Sequence, residues 1–408
     1  MARPVSGGRG DRAATGEGQH QNKRSIPMSR LKPLWGLLAV FLFVTPALPD
    51  SLNAIYHHAA SLNAALFFVA PDKTTYVSTG DIDAMWLRDS SIQARSVLHN
   101  KRLVRGVIAR QERLIAIDPY ANAFFRDYAP VERKFEIDSL CYPVRLADDY
   151  GRVMHDRSVY DHALALELRT VLHVLDVEQH HSTMSGYHYN EHPLDPSLGL
   201  IWSAYRPSDE PQEYNYNIPE NMFAAATLRT IARLFRDFYH DPGRGRRADG
   251  IADRIEAAIA HHAVFATTFG RIYAYEIDGL GHIKFMDDAN TPSLLSAPLI
   301  GYPLDQAVYA NTRRFVLSDA NPYFYRGRYA AGVGSSHTPA NYVWPLSLVI
   351  QYRTARDDGE RQQIEQALAQ SSAGDGALHE SFDVNDPHHY TRESFGWVNA
   401  LFAQTFQK

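Results

Sequence analysis

Apolar residues recur at three- and four-residue spacing in nine separate stretches of this chain, which is the periodicity of amphipathic helices. In the fourth stretch, for example, Leu164, Val171 and Leu175 fall on one helical face. No linker rich in glycine, serine or proline and no short internal repeat divides residues 50–408. We therefore predict one mainly α-helical domain over 50–408, built as an α/α barrel, or helical toroid. The nine stretches are 52–68, 89–98, 101–117, 158–178, 219–239, 249–264, 341–355, 359–371 and 391–405.

One segment interrupts the helical pattern with short runs of β-forming residues. Ile272-Tyr-Ala-Tyr-Glu-Ile is followed by the turn sequence Asp278-Gly-Leu-Gly and then by His282-Ile-Lys-Phe-Met. Two such runs joined by a glycine-containing turn are typical of a β-hairpin. We predict a minor hairpin within the helical domain.

The composition is that of a soluble globular protein, with 408 residues, of which 45% are hydrophobic and 21% charged. Residues 1–49 carry seven Lys or Arg and two Asp or Glu, which leaves 34 basic and 44 acidic residues in 50–408. The net charge of that larger part is therefore −10, and an acidic protein gives no reason to expect a nucleic-acid partner.

Residues 1–49 have the pattern of an N-terminal extension and signal peptide rather than of a folded domain. Basic residues at 23, 24, 30 and 32 precede an apolar run at 34–44, which Thr-Pro-Ala-Leu-Pro follows. The run is shorter than the roughly 18 residues of a membrane-spanning helix, so we expect cleavage and no stable membrane insertion. An uncleaved anchor and a true start at Met28 instead of Met1 are the alternatives.

The single cysteine, Cys141, excludes an intramolecular disulfide. Export of a protein without disulfides favours a periplasmic or secreted bacterial protein.

Residues 79–90 combine charged side chains with apolar ones in a way that suits neither an exposed surface nor a core. A solvated face would not carry Trp86, and a core would carry Arg88 and Asp89 only if they were paired. Carboxylate and guanidinium groups bind vicinal hydroxyls, and an indole packs against the C–H face of a sugar ring. This segment therefore predicts a sugar-binding pocket.

Three further segments place Trp202, Trp344 and Trp397 beside Asp, Glu, Asn, His or Arg. Any one of these tryptophans would be interpreted best as part of a large core. Four of them next to charged groups, at the ends of predicted helices, favour a shared carbohydrate site in the loops.

Several motifs along the chain together resemble glycoside hydrolase family 125. They occur in order over residues 78–405, and several are long enough to be specific. The resemblance implies an (α/α)6 barrel and an inverting, metal-independent, exo-acting α-1,6-mannosidase that releases terminal mannose from N-glycans or mannan. The motifs are Thr79-Gly-Asp-Ile-Asp-Ala-Met-Trp-Leu-Arg-Asp-Ser, Glu132-Arg-Lys-Phe-Glu-Ile-Asp-Ser-Leu, Arg206-Pro-Ser-Asp, Asn217-Ile-Pro-Glu-Asn-Met-Phe, Asp287-Asp-Ala-Asn-Thr-Pro-Ser-Leu-Leu, Gly334-Ser-Ser-His-Thr and His379-Glu-Ser-Phe.

The same resemblance implies Asp209 as the catalytic acid and Glu380 as the catalytic base. Inverting hydrolysis needs one carboxylic acid for the leaving oxygen and one carboxylate for the attacking water. Since an acid must keep its proton near neutral pH, we expect Asp209 to be partly buried or near a second carboxylate, either Glu210 or Glu213. Glu210 is also the rival candidate for the acid.

The predicted substrate-binding residues are assigned from the same motifs. Arg88, Asp89 and Arg392 are candidates for binding the hydroxyls of the terminal mannose, and Trp86 or Trp344 for the stacking wall. Asn221 and His337 are further hydrogen-bonding candidates, although a core or loop histidine is an equal interpretation of His337. The full predicted set is Asp81, Trp86, Arg88, Asp89, Arg206, Asn221, His337, Trp344 and Arg392.

Other acidic residues suggest structural roles or no role in binding. Glu132, Arg133, Glu136 and Asp138 are interpreted as an ion-pair network. The acidic pairs 287–288 and 81/83 have the oxygen donors that Ca²⁺ prefers, but neither has a recognisable ligand loop. No metal and no cofactor is assigned, and the expected partner is an oligosaccharide or glycan.

Two other functions remain open at this point. One is an α/α-barrel glycosidase with another sugar specificity, such as a glucosidase. The other is an inactive mannoside-binding protein, which would need the tryptophans but not both Asp209 and Glu380.

Overall fold

Eleven α-helices lie within residues 48–407, the part of the chain that the computed structural model describes. Most of them alternate along the chain between the outside and the inside of a ring. The helices are α1 (Leu48–Ala64), α2 (Leu87–Arg95), α3 (Lys101–Ile117), α4 (Ile137–Val153), α5 (His162–Glu178), α6 (Ile218–Asp237), α7 (Pro242–His262), α8 (Gln306–Val316), α9 (Pro345–Arg353), α10 (Asp358–Ser371) and α11 (Gly396–Phe406).

Five helices form the inner ring: α2 packs on α4, α4 on α6, and α11 on both α2 and α9. The outer positions belong to α1, α3, α5, α7, α8 and α10. A short 3₁₀ helix, Ala297–Leu299, contacts α6 and occupies the chain position between α7 and α8 where the sixth inner helix belongs. The predicted (α/α)6 barrel is confirmed, with one inner helix reduced to a single turn.

Short antiparallel strands connect the helices. They form three three-stranded sheets, β3–β4–β5, β10–β9–β6 and β13–β14–β15, and the two-stranded pairs β1–β2, β7–β8 and β11–β12. Strands β3, β6 and β13 lead directly or nearly directly into inner helices. The strands are β1 (Phe67–Val69), β2 (Thr75–Val77), β3 (Met85–Trp86), β4 (Ala123–Phe124), β5 (Pro130–Glu132), β6 (Tyr216–Asn217), β7 (Val264–Thr267), β8 (Gly270–Tyr273), β9 (Glu276–Ile277), β10 (Ile283–Lys284), β11 (Phe324–Arg326), β12 (Ala331–Val333), β13 (Tyr342–Val343), β14 (Ser381–Asp383) and β15 (Asp386–Thr391).

All nine predicted helices are present, α3 with both predicted ends and the other eight with at least one end shifted, whereas α4 and α8 were missed. Helix α4 has apolar residues at helical spacing, but it contains Pro143 and the buried acidic residues Asp138, Asp148 and Asp149, so its composition does not favour a helix. The predicted hairpin is correct for one pair, since Ile277 faces Ile283. Ile272 belongs instead to a second hairpin, where it faces Phe265.

The predicted leader, residues 1–49, lies outside the described residues except for its last two positions, which begin α1. Export and the domain boundary at residue 50 stay predictions, and the described residues belong to one compact unit. None of the described helices combines the length and apolar character needed to cross a membrane.

Candidate active site

A cavity of about 310 Å³ opens at the end of the barrel where the inner helices begin. Trp86, Trp344 and Phe395 all line it, and these are the residues immediately before α2, α9 and α11. The first turn of a helix has unpaired N–H groups and the positive end of the helix dipole. This end of the barrel therefore favours acidic side chains and hydrogen-bond acceptors.

The cavity brings together most of the residues predicted from the sequence. Its wall includes both predicted catalytic residues, Asp209 and Glu380. Six of the predicted substrate-binding residues also line it: Trp86, Arg88, Asp89, His337, Trp344 and Arg392.

Asp81 contributes to the site indirectly, through Arg392. Its carboxylate accepts a hydrogen bond of 2.7 Å from Nε of Arg392 and a second from the same guanidinium. The segment is anchored nearby, because Asp81 N donates to Ser394 O at 3.1 Å. Gly80 lies so close to the backbone of Ser394 that a Cβ would be 2.1 Å from Ser394 O, which only glycine permits. Asp81 thus fixes the position of Arg392.

The structure places Arg206 and Asn221 behind the cavity, so their predicted contact with substrate is not supported. Nε of Arg206 is paired with the buried carboxylate of Glu276. The Asn221 amide is fully buried and bonds the backbone of Ile201 in both directions, at 2.7 and 3.0 Å. Asn221 thus holds loop backbone directly, whereas Arg206 holds Glu276, whose carboxylate accepts the backbone N–H groups of Glu213 and Tyr214.

Asp209 lies at the end of a tight turn, where its N–H donates to Arg206 O at 2.9 Å and its φ is +67°. Lys134 Nζ is 3.6 Å and Asn122 Nδ2 is 3.4 Å from its Oδ1. The same amide nitrogen is 3.4 Å from Glu136 Oε1. Asp209 is thus held between a lysine and a buried glutamate.

The prediction that Glu210 or Glu213 is the carboxylate beside Asp209 was wrong. Glu210 pairs with His337, whose Nδ1 is 3.0 Å from Glu210 Oε1, and Glu213 pairs with Lys284. The second carboxylate is Glu136. Burial, opposed by Arg88 and reinforced by the negative charge of Asp209, raises the pKa of Glu136 well above its usual range.

Glu380 is almost fully buried, at 5% exposure, just before β14. Burial raises the pKa of this carboxyl above its ordinary value, while the nearby His337 and Arg392 act in the opposite direction. Asp209 has a more exposed side chain, at 22%. The two carboxyl groups therefore line the same cavity but differ in how deeply they are buried.

Arg88 is the centre of a buried ion cluster beneath the cavity. Its Nη1 is 2.9 Å from Glu136 Oε2 and 3.3 Å from Asp138 Oδ2, and its Nε is 3.4 Å from Asp89 Oδ2. The guanidinium lies over the Trp397 ring at 4.5 Å. The ion-pair interpretation of Glu136 and Asp138 is confirmed with Arg88 as their partner, whereas Arg133 pairs with Asp118 outside this cluster.

In this cluster a single arginine, Arg88, is paired with three buried carboxylates. Burial raises the pKa of Asp89 and raises that of Asp138 to about 6, although Arg88 acts against it in both cases. Arg88 Nε and Asp89 Oδ2 make no hydrogen bond within the described part of the chain. Both atoms are buried and lie 3.4 Å apart, so they form an ion pair with each other.

Sequence reasoning missed several residues of the site. Lys134, Thr79 and Phe395 line the cavity, and Asn122 reaches Asp209. Trp397 was grouped with the aromatic segments but was not assigned to the site. Lys134 lies between two acidic positions of one motif, which was a usable signal, whereas nothing near Asn122 in the sequence marks it.

The acidic residues that suggested a calcium site accept hydrogen bonds from other groups of the protein. The Asp287 carboxylate accepts the backbone N–H groups of Leu294 and Leu295, each at 2.8 Å. Asp288 accepts from the Ser208 hydroxyl at 2.9 Å. Asp83 forms a bidentate pair with Arg126.

A family model for the metal-independent α-mannosidases, glycoside hydrolase family 125, matches residues 43–407. A solved Streptococcus pneumoniae structure, described as a metal-independent alpha mannosidase in a non-productive substrate complex with alpha-1,6-mannobiose, is similar over 88% of this chain and 93% of that chain. The two are 36% identical, and their TM-score is 0.82.

Two other proteins show the range of similarity. The meiotically up-regulated gene 157 protein of Schizosaccharomyces pombe is 34% identical over 385 residues, which cover 81% of this chain and 75% of that protein. A bacterial glucoamylase solved with acarbose is only 11% identical, with a TM-score of 0.61 over 87% of this chain and 56% of that chain. The glucoamylase similarity concerns the fold alone.

Proposed function

The chain belongs to glycoside hydrolase family 125, the metal-independent α-mannosidases, and we propose that it is an inverting exo-enzyme that removes terminal mannose from α-1,6-linked mannosides. The observation that carries this proposal is that Asp209 and Glu380 line one cavity together with tryptophans and paired charges. The mannobiose complex of the S. pneumoniae relative supports the choice of linkage.

In the proposed reaction Glu380 acts as the general base. Its carboxylate takes a proton from a water molecule as the water oxygen bonds to the anomeric carbon. The bond between that carbon and the glycosidic oxygen breaks, and Asp209 gives its proton to the leaving oxygen. The released mannose has the β configuration, and the two carboxyl groups return to their starting states by exchanging protons with solvent.

Asp209 is the better candidate for the acid than Glu210. Asp209 lines the cavity, whereas the carboxylate of Glu210 is bonded to His337. The φ of +67° at Asp209 is uncommon for a residue other than glycine, and such backbone is found where a side chain is held in a required direction.

The terminal mannose is proposed to bind between the charged cluster and the aromatic walls. Arg88 and Asp89, which both line the cavity, are the proposed partners of its hydroxyls, and Arg392, oriented by Asp81, supplies further donors. Trp86 and Trp344 are the candidate stacking surfaces.

Hydrolysis of α-1,6-mannobiose in the presence of EDTA, followed by NMR of the released sugar, tests this proposal. We expect β-mannose to appear first, and little turnover of α-1,2-mannobiose, α-1,3-mannobiose or an α-glucosyl disaccharide. Initial α-mannose would overturn inversion, and preferred turnover of the glucosyl disaccharide would favour a different glycosidase. Binding of mannobiose by the folded protein without turnover would favour an inactive binding protein.

The acid limb of the pH profile of kcat/KM should have an apparent pKa above the usual range for a glutamate side chain. Glu380 must be ionised to act as a base, and burial raises its pKa, so kcat/KM falls as the pH drops through that raised value. His337 lowers the pKa of Glu380, and a neutral His337→Gln variant should therefore move the limb to higher pH. A limb at or below the ordinary 4.5, or one that moves to lower pH in the variant, would contradict this role of Glu380.

A further inference from the structure

The segment that follows α5 is rich in histidine and takes no part in the proposed catalysis. Residues 179–192, the histidine loop, contain four histidines, at 180, 181, 188 and 192, and one glutamate, Glu191. Short tracts rich in histidine are typical of metal binding. None of the loop's residues lines the catalytic cavity.

Three side chains of the histidine loop converge. One ligand atom each from His181, His188 and Glu191 lies within 4.8 Å of the other two. Glu191 Oε1 is 2.7 Å from His188 Nδ1 and 3.5 Å from His181 Nε2. Tetrahedral zinc sites have metal–ligand bonds of about 2.0–2.2 Å, which separates neighbouring ligand atoms by about 3.3–3.5 Å. Small side-chain shifts would bring these atoms to that spacing.

His181 is already oriented as a metal ligand would be. Its side chain is 8% exposed, and its ring stacks on Trp202 with centroids 3.6 Å apart. Nδ1 is 2.5 Å from the buried Glu178 carboxylate, which also accepts hydrogen bonds from Tyr120 and Ser185.

This contact determines which ring nitrogen is free. A proton on Nδ1 leaves a lone pair on Nε2, and Nε2 is buried with no hydrogen-bond partner within residues 48–407. In that tautomer Nε2 carries the lone pair that a metal ligand needs, and it lies 3.5 Å from Glu191 Oε1. A histidine whose second nitrogen donates to a carboxylate is the usual arrangement around protein-bound metals.

We propose that the histidine loop binds one divalent transition-metal ion, with zinc the best match, through His181 Nε2, His188 Nδ1 and Glu191 Oε1. Imidazole and carboxylate ligands suit zinc, and the half-exposed His188 and Glu191 leave the fourth position to water. Glu178 is the positioning residue behind His181.

The ion would stabilise the histidine loop, and this loop supports one wall of the catalytic site. The Tyr187 hydroxyl donates to Arg133 O at 2.9 Å, and the Tyr189 ring stacks on Tyr205, 5.7 Å away. Tyr205 lies 5.9 Å from Lys134 Nζ, which lines the catalytic cavity. The ion itself would remain outside that cavity, so the proposal is independent of the catalytic one.

Zinc titration of the full chain after EDTA treatment and dialysis tests the site, with isothermal calorimetry for affinity and thermal unfolding as a second readout. We expect one zinc per chain and a rise in Tm as zinc is added. Co²⁺ in place of zinc should give visible absorption bands of a low-coordinate site. The two exposed ligands can be replaced without disturbing the fold. His188→Asn or Glu191→Gln should weaken zinc binding at least about 10-fold, since even loss of a residue that only hydrogen-bonds to a ligand costs that much affinity.

His192→Asn is the matched control. His192 lies in the same loop, but its Nε2 is 3.1 Å from Asn190 Oδ1, outside the cluster. This variant should bind zinc as the parent does. The proposal is overturned if no saturable binding occurs at one ion per chain, or if His192→Asn weakens binding as much as His188→Asn. NMR evidence that both His181 nitrogens carry protons in the presence of zinc would also overturn it, since the cluster would then be two ion pairs.

Discussion

Glu380→Gln and Asp209→Asn are each expected to lower kcat on α-1,6-mannobiose about 10²–10⁴-fold, the usual contribution of a general base or acid. Each amide keeps the shape of the carboxyl group but can neither take up nor release the proton that the reaction needs. Circular dichroism and Tm should remain close to those of the parent.

The two variants should differ on a substrate whose leaving group needs no proton. With α-mannosyl fluoride, Asp209→Asn should recover most of its activity, because fluoride departs without general-acid help. Glu380→Gln should stay inactive, since water activation is still missing. Recovery by Glu380→Gln instead would reverse the two assignments.

Glu210→Gln is the control for the acid. Its carboxylate is bonded to His337, so its replacement should cause a much smaller loss on mannobiose than Asp209→Asn does. If Glu210→Gln loses as much activity as Asp209→Asn, and recovers it on the fluoride when Asp209→Asn does not, Glu210 is the acid.

Arg88→Met should lower the free energy of unfolding by about 3–5 kcal/mol at neutral pH, the typical effect of removing one partner from a buried ion pair. The variant leaves Glu136, Asp138 and Asp89 buried with no cation between them. Urea unfolding at several pH values measures the effect.

The loss should shrink as the pH falls. Without Arg88 the folded-state pKa values of the three carboxyls rise further, and groups with raised folded pKa values stabilise the fold when protonated. The difference between parent and variant should therefore shrink as the pH falls toward Asp138's folded pKa of about 6, and it should be smallest at acidic pH, where the three carboxyls are protonated in both folded proteins.

Arg126→Met removes an exposed bidentate pair with Asp83 and should cost less than about 1 kcal/mol. Equal losses in Arg88→Met and Arg126→Met would contradict the special position of Arg88. A loss in Arg88→Met that grows toward acidic pH would contradict the charged-cluster explanation.

The helical periodicity predicted the barrel well because most of its helices have one apolar side. It did not identify α4, which has an apolar face but also contains Pro143 and buried acidic residues, and it could not show that the sixth inner helix is a single 3₁₀ turn. Residues that disfavour helices can outweigh apolar spacing when a single sequence is interpreted.

The site was predictable where chemistry and motif coincide, as in the segment that holds Trp86, Arg88 and Asp89. Arg206 and Asn221 belong to equally distinctive motifs, but behind the cavity the side chain of Arg206 pairs with Glu276 and that of Asn221 bonds backbone. A single sequence does not separate polar residues that line the cavity from polar residues that support it from behind. Asn122 and Lys134 join Asp209 only through tertiary packing.

The contact between Asp81 and Arg392 joins the two ends of the folded chain. These residues are 311 positions apart, and beside them Gly396 N donates to Thr79 O at 2.7 Å. The last helix, α11, packs on both α1 and α2 and completes the ring. A contact so distant in sequence closes a very long loop, and the entropy of that closure opposes folding of the ring. During synthesis, the sugar pocket stays incomplete until the C-terminal helix has left the ribosome and docked, so hydrolytic activity marks a chain whose barrel has closed.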